Sequence, residues 1–252
     1  MYQVQDKVVL ITWASSWIWK ATAIYFANHW AKIVINYNNN KAWAKETQEI
    51  IEKEGWVAII IQWDISNSKL VDEMYNKVIN EFWTIDILIN NAWILWPYWE
   101  YESLDLEEIK KVFSVNIVWP MYCSQKFITV CKEQEKKWII LNNSSVYGNY
   151  ERWWDGWLVA YHATKASLTN FTWILAKSVS PDIRVNAVAP AVVLTPIQDK
   201  YSEKVKRSFS ERTLIKRRIS PQEVAHAFMF LAQNEAITWQ TIYIDWGFMM
   251  NG

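Results

Sequence analysis

Glycine is the residue this chain most lacks. Average usage of about 7% would give roughly 18 in a chain of this length. There are 5 Gly among 252 residues, against 19 Trp. Cysteine is nearly absent as well. Cys123 and Cys131 fall on one predicted helix, too far apart along its axis to pair, so a disulfide scaffold is excluded and both read as reduced packing residues. The three histidines, His29, His162 and His226, are dispersed, which argues against a zinc site or a Ser-His-Asp triad; no metal is expected. Neither charge sign is in excess, with Lys+Arg and Asp+Glu at 26 each. No net field therefore draws in nucleic acid or an anionic membrane, and a small molecule is the expected partner. The acidic stretch Glu100 to Glu108 reads as a solvated helix face. No apolar run approaches 20 residues, and Met1-Tyr-Gln-Val-Gln-Asp-Lys is not a charged-then-apolar leader. The expectation is a soluble cytoplasmic protein.

The tryptophans stand where glycine is missing. Trp30 and Trp83 each follow a predicted helix and precede a strand, where a left-handed residue, usually glycine, ends the helix. Trp153, Trp154 and Trp157 crowd around Gly156 in a loop. Ordinary core aromatics would fall at periodic apolar positions, and these do not, so many of the indoles are expected to occupy glycine sites.

Short β-branched runs alternate with helical patterns. Strands are predicted at Lys7 to Thr12, Lys32 to Asn36, Val57 to Gln62, Asp86 to Asn90, Trp138 to Asn143, Ile183 to Val188 and Thr241 to Asp245. Helices are predicted near 18–29, 41–54, 68–82, 105–131 and 160–178. A last helix starts at Ser220-Pro-Gln-Glu, which combines an N-cap serine, a proline at N1 and a glutamate at N3. Runs such as Val8-Val-Leu-Ile are apolar without alternation, as in a sheet covered on both faces. The prediction is a Rossmann-like, doubly wound α/β fold, a mostly parallel seven-stranded sheet flanked by helices, in one domain over 1–252.

The chemistry is concentrated in Tyr161 and Lys165, one helical turn apart, with Ser145 upstream in Asn142-Asn-Ser-Ser-Val-Tyr-Gly. A phenol of pKa ~10 is a poor base at neutral pH. A fixed cation beside it is expected to lower that value and make it a usable proton donor and acceptor. A hydroxyl held nearby can hydrogen-bond a carbonyl oxygen that becomes an alkoxide on hydride arrival.

After the first strand comes Thr12-Trp-Ala-Ser-Ser-Trp-Ile-Trp-Lys. With glycine in place of Trp13, Trp17 and Trp19 this is a dinucleotide-binding turn, where a helix N-terminus meets pyrophosphate. Together with Asn90-Asn-Ala-Trp93, the set Asn116, Ser145, Tyr161 and Lys165, and Pro190-Ala-Val-Val-Leu-Thr195, it resembles the short-chain dehydrogenase/reductase family, of the 3-oxoacyl-carrier-protein reductase and glucose dehydrogenase type, in the correct order over nearly the full length. Most of the expected glycines are Trp, and Ala191 replaces another. The resemblance implies an NAD(P)-dependent oxidoreductase that interconverts a carbonyl and a secondary alcohol. Tyr161 would be the acid/base, Lys165 would lower its pKa and hold the nicotinamide ribose, and Ser145 would bind the substrate oxygen. Asn116 would sit at a helix kink and support a water linked to the lysine, although Pro120 by itself suffices to disturb the helix. Thr12, Ser15, Ser16 and Ile18 would cradle the pyrophosphate. Tyr37, Asp64 and Ile65 would face the adenosine end; Asp64 reads equally well as the cap of the next helix. Asn91 and Ala92 would lie against the ribose and central strand, and Pro190, Val193 and Thr195 would hold the carboxamide. A homotetramer built on the helices at 105–131 and 160–178 is the family expectation.

At the end of the second strand a carboxylate would select NAD, but Asn36-Tyr-Asn-Asn-Asn40 supplies none, and Lys41 is near enough to reach a phosphate. NADP is favoured, with NAD possible. The substrate pocket is expected from Tyr147, the 150–157 loop, Trp93 to Tyr98 and the lid from Pro196 to Arg212. Indoles at 13, 17, 19, 93 and 246 raise a rival reading. In it a Rossmann-like domain has its nucleotide cleft blocked by Trp and serves as a binding or scaffold surface. Each misplaced indole costs from about one to several kcal/mol through strain and overpacking.

Overall fold

The computed structural model describes residues 2–13, 17–63, 68–95, 101–132, 134, 137–149, 158–199 and 201–250. Seven strands, β1 (Val8–Ile11), β2 (Lys32–Tyr37), β3 (Ala58–Gln62), β4 (Ile87–Asn90), β5 (Trp138–Asn143), β6 (Ile183–Pro190) and β7 (Thr241–Ile244), form one sheet in the order β3-β2-β1-β4-β5-β6-β7. Every pairing is parallel. The period of two in a strand sends alternate side chains to opposite faces, and β1 divides accordingly. Val9 and Ile11 join a core layer with Phe26 and Phe228, while Val8 and Leu10 join the opposite layer with Met74 and Phe127. This is why the strand reads as continuously apolar. The chain winds outward from β1 to β3, then returns to place β4 on the other side of β1. Such a reversal opens a crevice at the carboxyl ends of the strands.

The helices are α1 (Trp17–Ala27), α2 (Lys41–Lys53), α3 (Ser68–Phe82), α4 (Leu106–Phe113), α5 (Trp119–Lys132), α6 (Val159–Val179), α7 (Glu203–Glu211) and α8 (Pro221–Gln233). The capping box read from Ser220 and Glu223 is present at α8. The single helix expected over 105–131 is instead α4 and α5 joined by a π-helical turn at Ser114–Val118. Pro120, next after the turn's cap, has no N–H to donate backward, and the wider turn absorbs the missing bond. Helix α7 was expected only as lid. Its nine residues carry few apolar side chains, Val205 and Phe209 among them, too sparse a pattern to stand out. No helix among the described residues is long and apolar enough to cross a membrane.

Among the described residues seven non-glycines have positive φ, and five of them are tryptophan: Trp13, Trp30, Trp83, Trp239 and Trp246, at φ 51° to 65°. Trp13, Trp30, Trp83 and Trp246, all read as glycine sites from the sequence, keep the left-handed backbone of a glycine, and Trp239, ahead of β7, joins them; Trp19 and Trp93, read the same way, do not have positive φ. The indoles do not all go where the rival reading needs them. Trp13 packs on the core layer that contains Met74 and Phe127. Trp19 is fully buried in the opposite layer, edge-on to Phe228 at 5.3 Å between ring centres. Trp153, Trp154 and Trp157 lie outside the described residues, and the side chain of Trp17 is likewise not described.

Candidate active site

Strand β5 ends at Asn143 and delivers Ser144 and Ser145 to the crevice. A 3-10 turn (Val146–Gly148) follows and lies directly against α6. Only glycine fits at 148, because a Cβ there would sit 2.7 Å from the Lys165 carbonyl oxygen. This close approach brings Ser145 next to the helix face that carries Tyr161 and Lys165. The Ser145 hydroxyl stands beside the Tyr161 phenol and draws its pKa downward. It also accepts from the Tyr147 amide at 3.2 Å and donates to the Pro190 carbonyl at 3.4 Å. The Tyr147 ring stands edge-on to that of Tyr161 at 6.1 Å.

Lys165 is only 1% exposed. Its Nζ donates to the Asn143 carbonyl at 2.6 Å and lies 5.6 Å from the centre of the Tyr161 ring. Burial without a carboxylate lowers its pKa to about 7. The phenol of Tyr161 goes the other way. Desolvation pushes it above its ordinary value, and the Ser145 hydroxyl opposes this only in part. The depressed phenol expected from the sequence is thus not what this arrangement produces. The ammonium is directed at Asn143 and has itself lost much of its preference for charge.

Lys165 makes stability depend on pH. Its folded-state pKa lies below the ordinary 10.5, so the unfolded chain holds this proton more tightly. Stability from this group is full above pH 10.5 and is lost as pH falls towards about 7. Tyr161, whose folded pKa is raised, acts oppositely above its ordinary 10.0. Lys165→Met is expected to flatten the rise in guanidinium midpoint between pH 7 and pH 10, measured without nucleotide. An unchanged slope would contradict the assignment.

Asn116 is fully buried in the π-helical turn. Its Oδ1 accepts from the Ile94 amide at 2.8 Å, and its Nδ2 donates to the Ile94 carbonyl at 3.0 Å and to Thr164 Oγ1 at 3.1 Å. Thr164 in turn donates to the Tyr161 carbonyl at 2.8 Å. Asn116 therefore fastens the segment after β4 to α6, with its protein contacts to Ile94 and Thr164 rather than to the lysine.

A cavity of about 670 Å³ opens beside these groups. Ser145, Tyr161, Ile18, Pro190, Val193 and Thr195 all line it. Thr12, Tyr37, Asn91, Ala92, Asn116 and Lys165 are buried and are not among the residues that line it. Thr12 Oγ1 accepts from the amides of Asn91 and Ala92 at 3.0 and 3.2 Å, and Asn91 Nδ2 donates to the carbonyls of Thr12 and Trp13 at 2.9 and 3.1 Å. Tyr37 is buried in the core. Asn36, first of the run that lacks a carboxylate, is buried; it receives the Trp13 amide at 3.1 Å and donates to the Trp63 carbonyl at the same distance. Ser15, Ser16, Asp64 and Ile65 lie outside the described residues, as do the 150–157 loop and residues 96–98. The sequence reading missed Gln198, a buried residue whose amide donates to the Val193 carbonyl at 2.5 Å and accepts from Arg218 at 2.7 Å. Nothing in the local sequence marks this tie between lid and loop. Phe209 of α7 also lines the cavity.

The nicotinamide end of a dinucleotide fits what is present. Asn143 lines the cavity with a buried Oδ1 that has no protein partner, and Lys165 engages one of its three N–H donors on Asn143. The indoles of Trp13 and Trp19 are turned into the core layers and away from this space, whereas that of Trp93 lines it, 5.9 Å from Lys165 Nζ.

Comparison with known proteins agrees with this geometry. A family model described as enoyl-(acyl carrier protein) reductase matches residues 14–249. The uncharacterized oxidoreductase YhxC of Bacillus subtilis (strain 168) is 30% identical over 257 residues, 99% of this chain and 87% of that protein. The uncharacterized oxidoreductase YhdF of the same organism is 32% identical over 249 residues, 97% and 84% of the two chains. A 3beta-hydroxysteroid dehydrogenase 1 from Eggerthella lenta is 29% identical over 97% of this chain and 94% of its own. A short-chain dehydrogenase/reductase from Serratia marcescens shares the fold, with a TM-score of 0.90 at 23% identity over 98% and 100% of the chains. The family match over almost the whole chain, the oxidoreductase relatives and the seven-stranded parallel sheet agree: this chain belongs to the short-chain dehydrogenase/reductase family.

Proposed function

We propose that the chain, acting as one dinucleotide-binding domain over 1–252, is an NAD(P)-dependent oxidoreductase that interconverts a carbonyl and a secondary alcohol. The observation that carries this reading is the Ser145 and Tyr161 hydroxyl pair, both lining the cavity, with Lys165 Nζ 5.6 Å from the Tyr161 ring centre. In the reduction direction Ser145 steadies the carbonyl oxygen, and Tyr161 gives it the phenolic proton as negative charge develops there. A phenol kept neutral by burial holds the proton it must deliver. The name of the Eggerthella lenta relative, a hydroxysteroid dehydrogenase, supports alcohol and ketone chemistry.

When bound, the cofactor supplies the hydride for the carbonyl carbon. Lys165 would hold its ribose with the donors not engaged on Asn143, and Pro190, Val193 and Thr195 its carboxamide. Thr12, Ser15, Ser16 and Ile18 would serve the pyrophosphate, Asn91 and Ala92 the adjoining ribose, and Tyr37, Asp64 and Ile65 the adenine. NADP is favoured over NAD, because the run from Asn36 to Asn40 supplies no repelling carboxylate and Lys41 is exposed at the start of α2. A cytoplasmic homotetramer is the family expectation, and exposed Met121 on α5 with Trp173 and Ile174 on α6 suits helix-to-helix association there. The scaffold reading needs a cleft filled by indoles, and the inward turn of Trp13 and Trp19 weighs against it, while among the described side chains Trp93 alone of the indoles behind that reading lines the cavity.

The test uses protein whose intact mass matches all 19 tryptophans. Saturable binding of NADPH, tighter than of NADH, with NADPH consumption on a ketone panel, is the expected result. Absence of binding by both nucleotides would favour the scaffold.

A further inference from the structure

The cavity has a polar end and an apolar body. Asn143, Ser145 and Tyr161 stand at the polar end, while Leu95, Leu158, Val192, Pro196 and Phe209 are among the apolar wall, and no described lining residue carries a charge. Trp93 also lines the cavity, and it does so at the polar end. Its ring centre is 5.9 Å from that of Tyr161 and 5.9 Å from Lys165 Nζ. The backbone on either side of it is held fast, at Ala92 by the Thr12 hydroxyl and at Ile94 by both side-chain atoms of Asn116. The indole cannot be withdrawn by shifting the chain. A carbonyl carbon placed at Ser145 and Tyr161 carries two substituents. One of them meets the indole, and the other extends along the apolar wall.

From this we propose that Trp93 determines specificity: it restricts one flank of the substrate carbonyl to a small group, and the apolar wall of Leu95, Leu158, Val192, Pro196 and Phe209 takes a bulky apolar group on the other. The substrates are then hydrophobic ketones with one small substituent, or the matching secondary alcohols. Among the described lining residues none would offset the carboxylate of a keto acid, whose burial against them comes at considerable cost. The proposal rests on the oxidoreductase reading of the same site and adds the class of compound.

The test compares wild type, Trp93→Gly and Trp93→Phe on methyl 2-naphthyl ketone, propyl 2-naphthyl ketone and pyruvate. It reads kcat/KM with NADPH and, separately, ketone affinity by calorimetry. Wild type should favour the methyl over the propyl ketone by at least about tenfold, the discrimination a few methylenes give against a rigid wall. Trp93→Gly should compress that ratio to below about threefold, Trp93→Phe should fall between, and pyruvate should be poorest throughout. A ratio unchanged in both variants, a preference for pyruvate, or failure to bind either naphthyl ketone would overturn the proposal. So would a tenfold change in NADPH affinity with the ketone ratio unmoved, since the indole would then belong to the cofactor's side. If the affinity ratio shifts as stated without turnover, the pocket assignment stands and the oxidoreductase reading falls. If ketones turn over with no shift, the reverse holds.

Discussion

Tyr161→Phe should lower kcat by about 10² to 10⁴, the usual range for removing a positioned proton donor, while leaving NADPH affinity within about threefold. The substitution deletes one oxygen from a residue whose ring is fixed on the helix it shares with Lys165 and sits edge-on to Tyr147. Lys165 keeps its bond to the Asn143 carbonyl, and the cavity wall keeps its shape. The loss should therefore appear in the chemical step and not in binding. Stopped-flow absorbance together with a fluorescence titration of NADPH separates the two. Turnover within about tenfold of wild type would remove Tyr161 from the proposed role.

The second large effect concerns stability. Replacing Trp30, Trp83 and Trp239 together by glycine should raise the melting temperature by about 2 to 12 °C. All three are exposed, at 54%, 80% and 57%, and all have φ between 63° and 65°. A left-handed backbone costs a non-glycine residue roughly 1–2 kcal/mol, whereas glycine adopts it freely at an entropic cost of roughly 0.5–1 kcal/mol in the unfolded chain. The net gain is a few tenths to about 1 kcal/mol per site, and well-separated sites add. For a domain of this size each kcal/mol is worth roughly 2–4 °C. Trp83 should contribute most. Trp30 should contribute least, because its indole packs edge-on against Trp56 at 5.8 Å. Calorimetry of the triple variant and the three single variants decides the matter; a fall in melting temperature would mean that indole packing outweighs the backbone strain.

Most of the fold was legible in the residues because its signals are local. The two-sided apolar runs of β1 and β4, the capping box at Ser220 and the helix-to-strand position of Trp30 each report on a few neighbours. The joining of Ser145, Tyr161 and Lys165 was legible because strand ends meet helix faces in this architecture. What was not legible depends on partners distant in the chain. The clamp of Asn116 on Ile94, the tie from Gln198 to Arg218 and the Val193 loop, and the burial that moves Lys165 and Tyr161 in opposite senses all appear only once the chain has closed on itself. The indoles belong to both groups. Their backbone conformation followed from position, whereas the turning of Trp13 and Trp19 into opposite core layers did not.

Transfer of isotope from nucleotide to product tests the central claim most directly. Wild-type protein, NADPH deuterated at the transferable position and methyl 2-naphthyl ketone should give an alcohol carrying one deuterium on the carbinol carbon by mass spectrometry, with little or none formed by Tyr161→Phe. Alcohol without deuterium, or no alcohol from authenticated wild type with any ketone and either nucleotide, would contradict the account.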